Sequence, residues 1–341
     1  MGCHSKRKGL SIAIQLIMKT IIPKVDRKLL DAELTSDKFL ADTNNGGNQI
    51  YVFTAHDSPN LMREVGRLRE LTFRDAGGGT GCEQDVDAYD EFEKPFQQLI
   101  VWNPNDKEIV GGYRFIHGRD IEIDNGEVKS ATAHLFKFSD QFIREYLPYS
   151  IELGRSFVQP NYQPTFNLKK GLYSLDNLWD GLGAMVVETP GVKYLFGKMT
   201  MYTDYHKHAR DILLYFLYNF FPDKDKLLVP INQLQFELGL EEIEAIFTGS
   251  TFEENYKILS KKLKEYRENI PPLFNAYMNL SPTMRTFGTA VNDEFGYVEE
   301  TGMMITMDDI YEKKKNRYVQ SYISKISRNI KSIRRFRYER K

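Results

Sequence analysis

Six charged residues stand in sequence that otherwise reads as buried. Arg69 lies four positions before Phe73 in "RELTF", Asp87 and Asp90 sit in "EQDVDAYD", and Arg114 interrupts the apolar run "GGYRF". Glu152 and Arg155 fall inside "SIELGRSFV", a strand pattern that leaves no obvious place for either. A buried charge must find a partner or carry a large desolvation cost, so these three guanidinium groups and three carboxylates are expected to converge on one network. The network could be purely structural. Buried ion clusters are weak stabilisers, however, and the commoner reason to keep one is a polar cleft that holds a reacting group.

The elements that must position these charges alternate between strands and helices. "QIYVFTA" (49–55) reads as a strand, and "PNLMREVGRLRELTFRDA" has helical periodicity, with Leu61, Val65, Leu68 and Phe73 near one face. "QQLIVWN" and "IVGGYRFIHG" flank "PNDKE" as a hairpin. "DQFIREYL" reads as a short helix, "YSIELGRSFV" as a strand, "GLYSLDNLWDGLGAMVVET" as a long apolar helix, "YLFGKMTM" as a strand and "DYHKHARDILLYFLYNFF" as a helix. Residues 223–270 look like a mostly helical polar insertion, a lid or an acceptor-side wall, after which Pro271 and Pro272 break the helix and restart the sheet.

The chain has 341 residues, 41% of them hydrophobic, enough for a large core. Its 46 basic and 47 acidic residues nearly cancel, so no global field argues for nucleic acid. Cys3 and Cys82 cannot build a disulfide framework, which favours a reducing, cytoplasmic compartment. Cys82 reads as a loop thiol, since no histidine lies close in sequence to orient it as a nucleophile. The glycines of "RDAGGGTGCEQD" follow a helix, whereas a phosphate cradle follows a strand and opens a helix. His206 and Asp211 have the spacing of a glycerolipid O-acyltransferase motif but lack its companion loop, so they read as a solvated first helical turn. His206 and His208 lack further metal ligands, and no metal site is expected.

Both ends look membrane-seeking. Lys6, Arg7 and Lys8 precede "GLSIAIQLIMKTII", too short to span a bilayer, which reads as an amphipathic helix on a membrane surface or on the body of the protein. From Lys313 to Lys341 there are twelve Lys or Arg residues against one acid, Glu339, while Val319, Ile323, Ile326, Ile330 and Ile333 line one helical face. That pattern suits an anionic surface, and peripheral association with the inner face of the membrane is the expectation. A terminal helix docked by its isoleucines is the alternative.

The same segments resemble the acyl-homoserine-lactone synthases and, more closely, the ornithine-lipid and glycine-lipid N-acyltransferases often labelled hemolysin-like, all variants of the GNAT acyltransferase fold. The resemblance runs from Gln49 through Phe221 and resumes at "IPPLFNAYMNLSPTMRTFGTAVNDEFGYVEETGMMITM". Its most specific piece is "ELGRSFVQPNY", and "LWDGL" (Leu178 to Leu182) matches the "LWxGL" helix of the lipid-forming enzymes. The pyrophosphate signature of acetyl-CoA enzymes does not follow Tyr162, which leaves room for an acyl donor on a carrier protein.

The resemblance implies an α/β fold, a GNAT-like mixed twisted sheet flanked by helices. It divides the chain into an N-terminal amphipathic segment (1–48), an acyltransferase core (49–222), a helical insertion (223–270), closing strands (271–311) and a basic amphipathic C-terminal helix (312–341). It implies attack of an amino-acid amine, glycine or ornithine, on a long-chain, 3-hydroxylated acyl thioester, as the first step of amino-lipid synthesis. The donor would be the phosphopantetheine thioester of acyl carrier protein, or acyl-CoA, with no tightly bound cofactor. Glu152 is the expected base, with Asp87 or Asp90 as alternatives. Backbone N–H groups of Phe157 and Val158 are the expected oxyanion donors. Arg114 or Arg69 would fork onto the acceptor carboxylate, with Arg155 and Phe73 completing the substrate site. Two rivals remain: autoinducer synthesis from S-adenosylmethionine, and a membrane-binding, haemolysin-like protein without catalysis.

Overall fold

The computed structural model describes residues 18–326, so the first basic run and residues 327–341 of the basic tail lie outside the described residues. The strands are β1 (Phe39–Asp42), β2 (Gln49–Phe53), β3 (Gln97–Asn103), β4 (Glu108–His117), β5 (Ile123–Asp124), β6 (Glu127–Val128), β7 (Phe136–Phe138), β8 (Ser150–Val158), β9 (Tyr194–Met201), β10 (Leu228–Pro230), β11 (Arg285–Asn292) and β12 (Val298–Thr306). The helices are α1 (Arg27–Glu33), α2 (Pro59–Asp75), α3 (Ala88–Glu91), α4 (Leu168–Gly171), α5 (Ser174–Glu188), α6 (Lys207–Phe220), α7 (Leu240–Glu244), α8 (Phe252–Glu265), α9 (Pro272–Met278) and α10 (Glu312–Lys315). Eight strands form one sheet in the order β1-β2-β3-β4-β8-β9-β12-β11. Only β8 and β9 run parallel within it. This is the mixed, helix-flanked α/β sheet that the resemblance implies.

Successive side chains of a strand point to opposite faces, so register decides what shares a face. On one face Ile50, Leu99, Phe115, Ile151 and Leu195 pack with Leu182 of α5 and with Leu213 and Phe216 of α6. On the other, α2 lays Leu61, Leu68 and Phe73 over Tyr51, Ile100, Trp102 and Phe157. Farther along that second face, Ile116, Phe196 and Met304 join Phe96, Phe136 and Phe142. Between these two apolar clusters the register inserts the row Gln98, Arg114, Gly154, directly beside the row Ile116, Glu152, Phe196, Met304. The awkward charges therefore form a polar band across one face of the sheet, walled by hydrophobic clusters on either side.

Four expectations about organisation need correction. β1 lies in the region assigned to a separate N-terminal segment, yet it pairs with β2 as the sheet's edge. Pro272 opens α9 rather than restarting the sheet, as suits proline in a first helical turn, and the sheet resumes only at β11. The insertion is no wall for the charged band: Leu259 and Leu263 of α8 pack into the opposite cluster with α6, while β10 pairs with β7 and Leu227 and Leu228 join the apolar cluster that flanks the band. Residues 312–326 are helical and docked by Tyr318 and Tyr322 as well as by Ile326, while Ile323 is exposed. The Tyr318 hydroxyl donates to Asp176 (2.8 Å) and the Tyr322 hydroxyl to Glu188 (2.7 Å), both on α5.

The β8–β9 pairing runs from Ser150↔Tyr194 to Leu153↔Gly197 and stops there, while β8 continues along β4 to Val158 and β9 along β12 to Met201. The two central strands thus diverge beyond Gly197. A Cβ on Gly197 would come within 2.3 Å of the Leu153 carbonyl oxygen, so only glycine lets this last rung close, whereas a Cβ on Gly154 would meet nothing nearer than Arg114 at 3.7 Å. Gly197→Ala is expected to cost about 1–3 kcal/mol in urea denaturation, while Gly154→Ala leaves stability unchanged or slightly higher.

Candidate active site

Asp90 is the hub of the band. It is fully buried and accepts hydrogen bonds from Arg69 Nη1 (3.1 Å), Arg114 Nη1 (3.1 Å), Gln98 Nε2 (2.9 Å) and the Asp87 backbone N–H (3.2 Å). Asp87 caps the single turn α3, in which Asp90 returns the cap, and this local box holds both carboxylates at the sheet. Arg114 Nη1 also donates to Asp87 at 2.7 Å. Arg155 places Nε 2.8 Å from Asp85 and Nη2 3.6 Å from Asp87, with its guanidinium 4.1 Å over the Phe295 ring. Burial alone would raise the Asp87 carboxyl, but Arg114, and then Arg155 and Arg69, hold it well below the usual carboxylate range. Asp85, buried deeper, is pushed up despite Arg155.

The structure brings together all six of the charges singled out in the sequence on one face, but it alters their roles. Arg69 is fully buried, with its guanidinium donating to Asp90, Gln98 and the Asp85 carbonyl, so it is a tie between α2 and the sheet and not the acceptor's fork. Arg114 is likewise buried on Asp87 and Asp90 and flanked by the rings of Tyr89 and Phe96. Phe73, expected at the substrate, lies in the apolar cluster behind the band, edge-on to Phe295 at 5.2 Å, and so braces Arg155 from behind. Arg155 itself takes a left-handed backbone conformation (φ 51°) where the β4–β8 register shifts. Non-glycine residues accept that conformation only when their surroundings compel it, which marks the point where β8 leaves β9.

Glu152 occupies the rung before the divergence. It is 1% exposed, and its Oε1 accepts from both the N–H and the hydroxyl of Thr132, each at 2.7 Å. Oε2 has no hydrogen-bond partner among the described residues. Burial raises the Glu152 pKa, against the lowering effects of Ser130, Thr132 and Lys198. Lys198 stands on β9 one residue past the last rung, 12% exposed at its side chain. Its ammonium reaches Glu300 (3.0 Å) and the Ala131 carbonyl (2.8 Å), leaving one of three donors uncommitted in these contacts. Glu300 would be raised by burial, yet Lys198, Arg155 and Asn292 keep its carboxyl below the usual range. Asp85, Gln98, Lys198 and Glu300 were not anticipated from the sequence.

The backbone donors also shift. Gln159 donates its N–H to Val110, and ladder alternation then turns the Phe157 N–H toward β4 and only the Val158 N–H toward the open side. Val158 is nonetheless six residues from Glu152, about 20 Å of extended strand, too far for both to serve one reacting carbon. The backbone just beyond the last rung, Gly154 to Ser156, is within reach. The other motifs behave as surface or scaffold. His206 packs its ring on Tyr266, and Asp211 is buried, accepting from the N–H groups of Glu237 and Leu238. The glycine loop wraps a buried Glu70, which accepts from Thr80 and Gly81.

Two outcomes follow from this balance of charge. Asp90→Ala leaves two buried guanidinium groups short of a partner and is expected to cost about 3–5 kcal/mol in denaturant unfolding. Because the Glu152 pKa is raised on folding, the folded chain holds that proton more tightly than the unfolded chain. The contribution to stability is full below the ordinary glutamate range and is lost as pH rises through the folded value. Glu152→Gln is therefore expected to be more stable than the wild type at neutral pH in thermal melts, with the difference shrinking in acid.

Residues 68–170 match the acetyltransferase (GNAT) domain family. The chain is 55% identical over 307 residues to a glycine Nα-acyltransferase of Bacteroides thetaiotaomicron, covering 90% of this chain and 91% of that one. It is 53% identical over 307 residues to a glycine Nα-acyltransferase of Phocaeicola vulgatus, covering 90% and 94% respectively. Among solved structures it aligns with a CoA-dependent acyl-homoserine lactone synthase, BjaI, at 13% identity and a TM-score of 0.34 over 82% of this chain and 90% of that one, a likeness too distant to build on. With relatives this similar along nine-tenths of its length, the chain belongs to their family of GNAT-type N-acyltransferases and is an acyltransferase.

Proposed function

We propose that the protein transfers a long-chain, 3-hydroxylated acyl group from the thioester of an acyl carrier protein to the amine of glycine, the first step of an amino lipid. The observation that carries this reading is the placement of Glu152 and Lys198 on the two central strands, immediately before and immediately after the last rung that joins them. A free amino acid presents an amine and a carboxylate two bonds apart, and a carboxylate base facing an ammonium across the cleft matches those two groups. Lys198 thereby takes the part that the sequence assigned to Arg69 or Arg114. A cation at this position also disfavours ornithine, whose second amine would be repelled, and the names of the two relatives support glycine.

In this reading Glu152 Oε2 accepts a proton from the glycine ammonium, and the freed amine attacks the thioester carbonyl. The oxyanion of the tetrahedral intermediate is met by backbone N–H groups freed where β8 leaves β9. Collapse expels the thiolate of the donor, which takes up a proton, and leaves an amide. A carboxyl whose pKa is raised by burial is a stronger base than a surface glutamate, which suits it to an amine. Neither rival reading gains an observation: nothing here favours S-adenosylmethionine as acceptor, and the ionic band argues against a scaffold without catalysis.

Mass spectrometry of lipids from a host expressing the wild type or Glu152→Gln tests the reaction. N-acylglycine in the wild type and its loss by a factor of about 10²–10⁴ in the variant is the expected result; no new lipid in either strain would overturn it, and N-acylornithine alone would overturn the choice of acceptor. With the purified enzyme, Lys198→Met is expected to raise the KM for glycine roughly tenfold to a hundredfold with a smaller change in kcat.

A further inference from the structure

Five of the eighteen exposed large hydrophobic residues among the described residues fall within one short stretch. Phe166, Leu168 and Leu172 are 64%, 73% and 59% exposed, and Tyr173 and Leu175 are also exposed. They occupy the connection from β8 to α5, which includes α4, and Lys169 and Lys170 lie among them. From Pro164 through Leu175 there is no acidic residue. The connection leaves the C-terminal end of β8, the end at which β8 and β9 diverge, and Lys170 ties it to Asp106 in the β3–β4 turn at that same end of the sheet.

We infer that this connection is a membrane-contact element that inserts Phe166, Leu168 and Leu172 into an anionic lipid surface, with Lys169 at the headgroups. Large apolar side chains held out in water at this density mark an interaction surface. Lys169, in a stretch that has no acidic residue of its own, selects a negatively charged one. An acidic carrier protein fits the patch less well. Docking of that kind relies on several cations, and Lys170 is already bound to Asp106 at 2.7 Å, so apolar area dominates here. The terminal helix is tied beside the patch by Arg317 to Asp176, the residue after Leu175, and residues 312–326 hold five Lys or Arg against one acid. That helix leads into residues 327–341, whose sequence holds seven Lys or Arg against one acid. The element differs from that tail and would set the mouth of the cleft on the leaflet, where an acylated product leaves without crossing water.

The test is co-sedimentation of the full-length chain with vesicles of phosphatidylglycerol and phosphatidylcholine in equal parts, and with phosphatidylcholine alone. The proteins compared are the wild type, the triple variant Phe166→Ser, Leu168→Ser, Leu172→Ser, and a chain ending at Ile326. Wild-type binding to the mixed vesicles, weakened about tenfold or more in the triple variant and retained in part by the shortened chain, is the expected result. A triple variant that sediments like the wild type, or a shortened chain that loses all binding, would overturn it. So would a triple variant that keeps its vesicle binding but loses turnover with an acyl-carrier-protein donor, which would assign the patch to the carrier. Turnover of a short-chain, water-soluble acyl thioester by the triple variant is expected to be unchanged. Vesicle binding is read without any substrate, so failure of this inference is separable from failure of the proposed reaction.

Discussion

The constraint on which this structure depends is the cost of taking ions out of water. Arg114 is set into the centre of an eight-stranded sheet by the register of β3, β4 and β8, where no solvent reaches its guanidinium. It can stay charged there only because Asp87 and Asp90 are brought to it by the capping box of α3, and Asp90 in turn satisfies Arg69 from α2. One helix, one turn and three strands are therefore locked together by the need to neutralise one another. The strands gain a fixed geometry at the place where β8 must part from β9, and the cleft inherits that geometry.

Within that frame Glu152 is the exception. The aspartates of the band answer to guanidinium groups, whereas Glu152 is held by a backbone N–H and a hydroxyl of Thr132, with Lys198 acting on it from across the cleft. Burial consequently raises its proton affinity where pairing lowers that of Asp87. Two carboxylates on the same face are thus driven in opposite directions. The left-handed Arg155 and the register shift beside it keep the backbone after Glu152 turned out of the ordinary ladder.

Much of this was legible in the residues. Glu152, Arg155, Arg114, Asp87 and Asp90 stood out because each violates the apolar pattern around it, and desolvation physics then required them to meet. The partners that were missed violate no pattern. Lys198 sits in "YLFGKMTM", where a lysine reads as the solvent face of an edge-like strand, and only the sheet order shows that β9 is central. Gln98 and Glu300 stand near strand ends, where polar residues are ordinary, and Asp85 hides in an acidic run. The oxyanion donors were misplaced for a different reason: neighbours in a strand segment were treated as neighbours in space, although six residues of extended chain separate Glu152 from Val158. "LWDGL" proved to be scaffold. Trp179 packs between Tyr277 and Tyr318, and Asp180 accepts from Asn44 in the β1–β2 turn, so the motif clips the sheet edge and the terminal helix to α5.

The central claim is that a buried, proton-attracting Glu152 is the base for an amine held opposite Lys198. The pH dependence of kcat/KM for glycine, measured side by side for the wild type and Glu152→Gln, tests it most directly. The account predicts an acidic limb in the wild type with an apparent pKa above the usual glutamate range, and the disappearance of that limb in a variant of low, flat activity. An unchanged limb in Glu152→Gln would contradict the account and move the base elsewhere in the band.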